Sequence, residues 1–399
     1  MPPAGGPTPA SRAGVVKNYT DSLDISGPTG ITTGPDGALW FTNRNYNVIG
    51  RVSTAGVFTN YNDPSSSFPW GITPGPDGAL WFTNVGNNII ARMTTTGAAS
   101  FFTDSTVVGP AGIAVGPDGA LWFANLDSIG RITTAGVISH YTTTPAINKG
   151  LGIVAGRDGA MWFTDYGNNS IGRITTAGVI TNFTSPTIKG PYAITAGPDG
   201  ALWFTNYLNG SIGRITTSGV VTNFTSPTID SPDAITVGPD GALWFTNNGN
   251  NSIGRITTSG VISNYTASSI DAPDGITAGP DGALWFTNLG NNSIGRITTG
   301  LSEKNAIISA NTISATDGTG FTFTVSTSGA SVSSITEVGR LPRGVAFVNR
   351  GNGTATISGS PVKAGVHHLT IRASFGTGKT KEVLIQALTL TVSPPGPAQ

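Results

Sequence analysis

Gly238-Pro-Asp-Gly-Ala-Leu-Trp-Phe-Thr-Asn247 is one of seven near-identical copies of the same phrase. Successive copies are 41 residues apart, or 40 once, and begin at Gly34, Gly75, Gly116, Gly156, Gly197, Gly238 and Gly279. A fixed period of this size is typical of stacked or closed arrays of small β units. The copies also provide an internal control, because a position that varies among them is free of the structural requirement that keeps the others constant.

A single repeat predicts four short antiparallel strands. Pro239-Asp-Gly241 has the composition of a tight turn, since proline presets φ and glycine tolerates a positive φ. The segment before this turn alternates, and the segment after it is almost continuously apolar, as expected for a strand packed on both faces. The four predicted strands are 234–238, 242–246, 252–256 and 261–265. Four such strands form one blade of a β-propeller.

The two ends of the array predict that the ring is closed. The last copy stops at Gly300 and lacks a fourth strand, whereas Gly14-Val-Val-Lys-Asn-Tyr-Thr20 matches Gly260-Val-Ile-Ser-Asn-Tyr-Thr266. The N-terminal strand would therefore complete the last blade and leave no exposed sheet edge. We expect an all-β chain with a seven-bladed propeller over residues 14–300, preceded by a flexible Pro/Gly/Ala-rich leader over residues 1–13.

A second domain is predicted after the repeats end. Residues 301–305 form a polar linker, and residues 306–394 hold alternating strands with turn signals between them. Strands at this spacing over about 90 residues predict an immunoglobulin-like β-sandwich. Residues 395–399 are Pro/Gly-rich and are expected to form an extended tail.

Composition narrows the possible partners. The formal net charge is zero and only 11% of residues are charged, so there is no basic field to attract nucleic acid. There is no apolar run long enough to insert into a membrane. Cysteine is absent. The Gly-rich, all-β composition favours an extracellular or cell-surface protein, although no signal-peptide pattern is visible in the sequence.

Variation among the copies predicts a ligand site. The residue before the Gly/Ala-Ile pair of each first strand varies, as do the residues after Trp-Phe-Thr, and both sets should lie at one mouth of the propeller channel. The mixture of aromatics, carboxylates and amides suits a small molecule, a glycan or a peptide that stacks on flat faces. The alternative is drift at exposed loop positions. The predicted site residues are Arg44, Trp70, Asp165, Tyr166, Tyr192, Tyr207, Asp233 and Asp274.

Two of these residues are candidate metal ligands. Asp233 and Asp274 occupy the same position in adjacent repeats and should be neighbours. A pair of close carboxylates repels, which raises one pKa or recruits a cation such as Mg²⁺ or Ca²⁺. Because no glutamate or histidine is nearby, we expect weak binding at most. The alternative is two solvated aspartates at the rim.

The repeat phrase, followed by Ile-Gly-Arg-Ile-Thr-Thr, resembles virginiamycin B lyase and its relatives. The resemblance implies a seven-bladed propeller that opens streptogramin B antibiotics by magnesium-assisted elimination. It also implies catalytic histidines in Pro-His-Gly/Ala-Ile segments, where this chain has Asp233 and Asp274. The implied glutamates fall on Ala272 and on Asn288 or Leu289. All three glutamates of the chain (Glu303, Glu337 and Glu382) lie outside residues 1–300.

The second domain resembles the bacterial putative-immunoglobulin modules of surface proteins. The resemblance rests on Leu341-Pro-Arg-Gly-Val-Ala-Phe347 and on Ile357-Ser-Gly-Ser-Pro361. It implies a spacer role.

Three functions remain open from the sequence. The first is a ligand-binding or interaction propeller without the catalytic residues of the lyase. The second is a divergent metal-assisted lyase acting on streptogramin B-type cyclic depsipeptides. The third is a structural repeat or spacer protein. The absence of nucleophile, phosphate-loop and zinc motifs favours the first.

Overall fold

The structure is a computed structural model that describes residues 13–21, 25–62, 66–300, 306–307, 309, 312–328, 332–350, 354–375 and 382–394. Nearly all of the predicted leader, the linker 301–305, the turn at 351–353 and the tail 395–399 lie outside the described residues. Contacts divide the chain into two compact units. One comprises Arg12–Gly279 and Ala283–Gly300, and the other contains Leu301–Gln399.

The N-terminal unit is built from four-stranded antiparallel sheets, of which the described residues contain seven. Six of them are formed by consecutive strands, with a single 3₁₀ turn at Tyr207–Asn209. The strands of the first three are β2 (Pro28–Thr33), β3 (Leu39–Asn43), β4 (Val48–Val52), β5 (Phe58–Asn62); β6 (Pro69–Pro74), β7 (Leu80–Asn84), β8 (Ile89–Met93), β9 (Ala99–Thr103); and β10 (Ile113–Val115), β11 (Leu121–Ala124), β12 (Ile129–Ile132), β13 (Ile138–Tyr141). Those of the next three are β14 (Gly150–Ala155), β15 (Met161–Asp165), β16 (Ser170–Ile174), β17 (Ile180–Thr184); β18 (Pro191–Ala196), β19 (Leu202–Asn206), β20 (Ser211–Ile215), β21 (Val221–Thr225); and β22 (Pro232–Val237), β23 (Leu243–Asn247), β24 (Ser252–Ile256), β25 (Ile262–Thr266).

The seventh sheet joins the two ends of the repeat array. Its strands are β26 (Pro273–Ala278), β27 (Leu284–Asn288), β28 (Ser293–Ile297) and β1 (Val16–Thr20). Strand β1 pairs antiparallel with β28, with Val16 opposite Ile297 and Thr20 opposite Ser293. The first strands of successive sheets contact one another in chain order, and β26 contacts β2. This arrangement is a β-propeller, and its innermost strands carry the variable positions.

The repeated tryptophans pack between sheets. Each is fully buried and shares an apolar cluster with the second strand of the next sheet, as Trp40 does with Leu80 and Phe82. Each also stacks on an aromatic ring of the outer strand of its own sheet, with ring centroids 4.9–5.4 Å apart. This explains why every repeat keeps both rings.

In six of the sheets, the aspartate of the turn between the first two strands is hydrogen-bonded to the second and third strands. In the sheet of β18 to β21, one carboxyl oxygen of Asp199 accepts a hydrogen bond from Trp203 Nε1 (3.0 Å), and the other accepts one from Arg214 Nε (2.7 Å). The same three-residue arrangement recurs at Asp36, Asp77, Asp118, Asp158 and Asp240. Both carboxyl oxygens of these aspartates are therefore occupied, so their repetition has a structural explanation.

The C-terminal unit contains two further four-stranded sheets. One comprises β29 (Ala306–Ile307), β31 (Phe321–Ser328), β34 (Thr354–Gly359) and β33 (Val345–Asn349), and the other β30 (Thr312–Thr316), β36 (Glu382–Ser393), β35 (Gly365–Phe375) and β32 (Val332–Gly339). The two sheets share one core that includes Val325, Ile335, Ile357, Ile371 and Leu390. Across the part of the chain that the structure describes, no helix is long and apolar enough to span a bilayer.

Candidate binding site at the inner strands

The variable position lies in a β-bulge in six of the seven first strands. In the sheet of β22 and β23, Pro232 pairs with Asn247 and Ile235 with Phe245, so Asp233 and Ala234 together oppose a single residue. The same register shift occurs at the start of β2, β6, β14, β18 and β26. A bulge re-aims side chains and is frequent beside functional sites. It places Trp70, Tyr192, Asp233 and Asp274 at equivalent points of their inner strands, and the strands of the last three are neighbours.

A threonine fixes the backbone at these positions. The hydroxyl of Thr205, in the second strand of one sheet, donates a 2.7 Å hydrogen bond to the carbonyl of Asp233 in the next. It also accepts the N–H of Ala193 in its own sheet (3.0 Å). Equivalent bonds of 2.6–2.8 Å reach the carbonyls of Thr29, Trp70, Ala111, Tyr192 and Asp274. These hydrogen bonds fix the backbone carbonyl of the variable residue in the same place in each of these repeats, and they do not depend on its side chain.

Asp233 and Asp274 form a carboxyl pair in which Asp233 is buried and Asp274 is half-buried. Asp233 is only 6% exposed, so a solvated aspartate at the rim does not describe it. Burial and the neighbouring Asp274 raise its pKa well above the ordinary value, and burial raises the pKa of Asp274 to about 6 despite the opposing effect of Arg44. Among the described residues neither carboxyl accepts a side-chain or backbone hydrogen bond, in contrast to Asp199.

Tyr192 lies beside this pair. Burial and the carboxyls of Asp233 and Asp274 raise its pKa, so the phenol stays neutral at physiological pH. Its ring meets Tyr166 edge to face, with centroids 6.3 Å apart, and Tyr207 at a 32° tilt, with centroids 5.7 Å apart. Tyr207 and Arg44 are also close enough to influence its ionisation. We call Arg44, Tyr192, Tyr207, Asp233 and Asp274 the mouth cluster.

Arg44 reaches the cluster from the loop after β3. Its guanidinium lies over Phe68 (4.7 Å from Cζ to the ring centroid) and near Trp70 (5.8 Å). Its Nε is buried and, within the described part of the chain, has no hydrogen-bond partner. The third-strand arginines differ, because each of six donates Nε to a turn aspartate, as Arg214 does.

Asp165 has a different setting from the other predicted site residues. It is 1% exposed and occupies the position of a buried asparagine in the other sheets. Its carboxyl oxygens accept hydrogen bonds from the Asn148 N–H (3.0 Å) and from Asn168 Nδ2 (2.8 Å). Burial raises its pKa, and these bonds only partly offset the effect. Its oxygens tie one loop together, as Asn206 does through the N–H of Lys189 (3.1 Å).

Two residues near the cluster are absent from the sequence prediction. Phe68 and Lys149 have φ of 55° and 63°, at a position that is glycine in three other repeats. A bulky side chain at positive φ is strained, and such strain concentrates at functional sites. Phe68 lies under Arg44, and Lys149 Nζ lies 4.5 Å from the Tyr166 ring centroid. The sequence signal that distinguishes Phe68 and Lys149 is a large side chain at a repeat position where other copies have Gly27, Gly109 and Gly190.

The donor set fits a divalent cation poorly. Mg²⁺ and Ca²⁺ take six or more oxygen ligands, several of them from the protein in tight sites. The pair offers two carboxyls, and no group of three or more His, Asp or Glu side chains suited to a metal occurs among the described residues. Arg44 already supplies positive charge beside Asp274. A weak Mg²⁺ or Ca²⁺ site at Asp233 and Asp274 therefore stays a prediction.

The fold and the cluster define a β-propeller with a polar and aromatic group of side chains on its inner strands. The chain belongs to the virginiamycin B lyase family, which matches residues 9–187 and 108–341. Residues 304–393 match the family described as Putative Ig domain. Both resemblances noted from the sequence are thereby confirmed.

Solved structures agree with this assignment. A streptogramin B lyase is 36% identical, with a TM-score of 0.68 over 72% of this chain and 99% of its own. A catalytically inactive His-to-Ala variant of virginiamycin B lyase from Staphylococcus aureus, solved with quinupristin, is 38% identical, with a TM-score of 0.67 over 71% and 99%.

A more distant likeness concerns the fold alone. The extracellular domain of a hybrid two-component system from B. thetaiotaomicron is 14% identical, with a TM-score of 0.61 over 97% of this chain and 58% of its own. No curated protein matches the chain significantly.

Proposed function

We propose that the protein is a ligand-binding propeller of a secreted or surface-attached bacterial protein, with its binding site at the mouth cluster. The propeller is seven-bladed, extends over residues 14–300 and is closed by the N-terminal strand. The immunoglobulin-like domain over residues 306–394 acts as a spacer. The propeller fold shared with extracellular bacterial domains supports this location.

One observation carries the proposal, namely hydrogen-bonding capacity that is left unused at the cluster. Buried polar groups without a partner are costly and rare in folded proteins. Arg44 Nε is a buried atom without a hydrogen-bond partner among the described residues. The carboxyls of Asp233 and Asp274 accept no hydrogen bond there either, whereas the turn aspartates and third-strand arginines are paired. A ligand that supplies the missing partners would remove this cost on binding.

The surroundings support a ring-bearing ligand. Trp70, Tyr166 and Tyr207 offer aromatic faces at the inner strands and the adjoining loops, where a sugar ring or a cyclic peptide can stack. Exposed apolar side chains occupy the same loops, among them Tyr46 (49% exposed) and Leu208 (61%). A small molecule, a glycan or a peptide with one flat apolar face fits this combination.

A binding screen tests the proposal. Sugars, cyclic peptides and streptogramins are added to the full chain, and thermal unfolding is measured. A hit should raise the melting temperature of the wild type, and Trp70→Ala should abolish the shift. Phe101→Ala is the matched control, because Phe101 is a partly exposed aromatic in the outer strand of the same sheet. The proposal fails if every shift survives both Trp70→Ala and Asp233→Asn.

The second candidate is a divergent lyase, which one observation favours. A carboxyl with a pKa of about 6 can act as a general base near neutral pH, and Asp274 meets this condition. Against it, the positions of the implied histidines hold Asp233 and Asp274. An assay of quinupristin ring opening with and without Mg²⁺ decides between them. We expect no turnover, and magnesium-dependent opening that Asp274→Asn abolishes would establish the lyase instead.

A further inference from the structure

We infer that the ligand of the mouth cluster carries a cationic amine, which lies against the tyrosine faces and pairs with the carboxyl of Asp233. This inference rests on the proposed function, and it adds the charge and chemical class of the ligand. It goes beyond the family assignment, because it depends on side chains that vary among the repeats of this chain.

The first step concerns the aromatic faces. Tyr166 and Tyr192 are nearly perpendicular, at 82°, and Tyr207 is tilted by 32° from Tyr192. Three rings in different orientations can present faces to one cation, which the negative face of an aromatic ring attracts. One of the three rings already lies against a cation in the structure, since Lys149 Nζ is 4.5 Å from the Tyr166 centroid.

The charges of the mouth cluster are not balanced. Asp233, Asp274, Tyr207 and Arg44 are the ionisable groups that act on Tyr192, and Asp274 also acts on Asp233. Arg44 acts on Asp274 and compensates one carboxyl, whereas no cation among the described residues acts comparably on Asp233. The cluster therefore has two carboxyls and one guanidinium, and the carboxyl without a cation acting on it is that of Asp233.

The surroundings of Asp233 suit an ammonium group better than a metal ion. A metal ion requires a shell of oxygen ligands. The inner strands on either side of Asp233 offer the Tyr192 ring and the single carboxyl of Asp274. An ammonium group needs only a few hydrogen-bond acceptors and gains from aromatic faces on its remaining sides. Asp233 is 6% exposed, so an ion pair formed there is largely shielded from solvent screening.

The test compares two probes that differ in one group. Benzylamine and benzyl alcohol share a ring, but only the amine is charged at neutral pH. We expect calorimetric titration of the full chain to give benzylamine at least about a tenfold higher affinity. Asp233→Asn should reduce the affinity for benzylamine about tenfold and leave benzyl alcohol unchanged. Asp230→Asn, which alters an exposed aspartate three residues away, is the matched control.

The aromatic part has its own variants. Tyr192→Phe keeps the ring face and should bind benzylamine as the wild type does, whereas Tyr192→Leu removes the face and should lose most of the affinity. Unfolding curves of each variant show whether it is folded. Equal affinity for the two probes, or unchanged benzylamine binding in Asp233→Asn, overturns the amine inference while leaving a neutral ligand, and hence the proposed function, intact. Loss of every ligand shift in the screen would overturn both.

Discussion

At the scale of single residues, aspartate has two different roles in the propeller, one hydrogen-bonded and one without a hydrogen-bond partner. Asp199 accepts hydrogen bonds from Trp203 and Arg214; burial acts to raise its pKa, but these bonds outweigh that effect and lower it. Asp233 has no such partners, and burial raises its pKa. The first aspartate stabilises the fold, whereas the second is retained at a cost, as functional groups often are.

Substitution should separate these two roles. We expect Asp199→Asn to lower the free energy of unfolding by about 1–3 kcal/mol, because an amide nitrogen replaces one of the two oxygens that accept from Trp203 Nε1 and Arg214 Nε, and the negative charge opposite Arg214 is lost. Asp233→Asn should be neutral or stabilising, since it removes a buried carboxyl that lacks a partner. Chemical denaturation of both variants measures the difference. Equal destabilisation by the two would contradict the unpaired state of Asp233.

The carboxyl pair also predicts a pH dependence. Both pKa values are higher in the folded chain than the ordinary 3.8, and that of Asp274 reaches about 6. The folded state therefore binds more protons than the unfolded state in this window, and stability falls as pH rises from about 4 to about 6. The Asp233→Asn/Asp274→Asn double variant should lose this component. Identical pH profiles of wild type and double variant would refute the raised pKa values.

The metal prediction is tested at the same pair. Because only two carboxyls are available, Mg²⁺ or Ca²⁺ should bind in the millimolar range or more weakly. Calorimetric titration and melting temperatures with and without ion are compared for the wild type and the double variant. If the two proteins respond identically, Asp233 and Asp274 do not bind a metal ion.

At the scale of strands, the threonine after Trp-Phe couples one sheet to the next. Thr246 donates to the carbonyl of Asp274 (2.7 Å) and accepts from the N–H of Ala234 (2.9 Å). Removing its hydroxyl leaves both backbone groups short of a partner near the site. The arrangement therefore links packing between sheets to the position of Asp274.

Thr246→Val keeps the shape and removes the hydroxyl. We expect a loss of about 1–3 kcal/mol in the free energy of unfolding and weaker ligand binding, because the Asp274 backbone is no longer fixed. Thr266→Val, at an exposed position in the outer strand of the same sheet, should change neither. A Thr246→Val protein with wild-type stability would show that water replaces the hydroxyl fully.

Local sequence predicts the strands better than it predicts the bulges. The strand predicted at 252–256 is observed at Ser252–Ile256, since its alternation and its flanking turns are encoded nearby. The first strand, predicted from Ala234, instead begins at Pro232. The extra residue in the bulge is accommodated by hydrogen bonds to a neighbouring sheet, and these are invisible within one repeat. Hydrogen bonds between sheets are not visible in the sequence. The sequence therefore indicates which inner-strand residues vary among the repeats, but not which of their side chains lack a hydrogen-bond partner.

At the scale of the whole molecule, repetition made the fold and family predictable, while the site depended on departures from repetition. Variation among copies pointed to Trp70, Tyr192, Asp233 and Asp274. The prediction omits Phe68 and Lys149, because a side chain in place of glycine at their position becomes informative only once the positive φ there is known. It also could not show that Asp165 serves its loop, since that depends on which N–H groups surround it.

The pairing of β1 with β28 predicts the effect of truncation. Tyr19 stacks on Trp285 with centroids 5.1 Å apart, and Val16 to Thr20 pair with the strand at the other end of the array. Deleting residues 1–20 should expose the edge of β28 and bury less of Trp285, which favours aggregation or loss of cooperative unfolding. Calorimetry and light scattering measure both. An unchanged, cooperative melting transition would contradict the closing role of β1.

The same pairing has a consequence for biosynthesis. Strand β1 leaves the ribosome first, yet its partner β28 is made about 280 residues later. At the usual rates of translation the early segment waits roughly 14–60 s for that partner. A contact of such sequence separation also slows folding in the completed chain. We therefore expect the amide protons of β1 to gain protection from solvent exchange only after β28 has left the ribosome, later than those of the internal sheets.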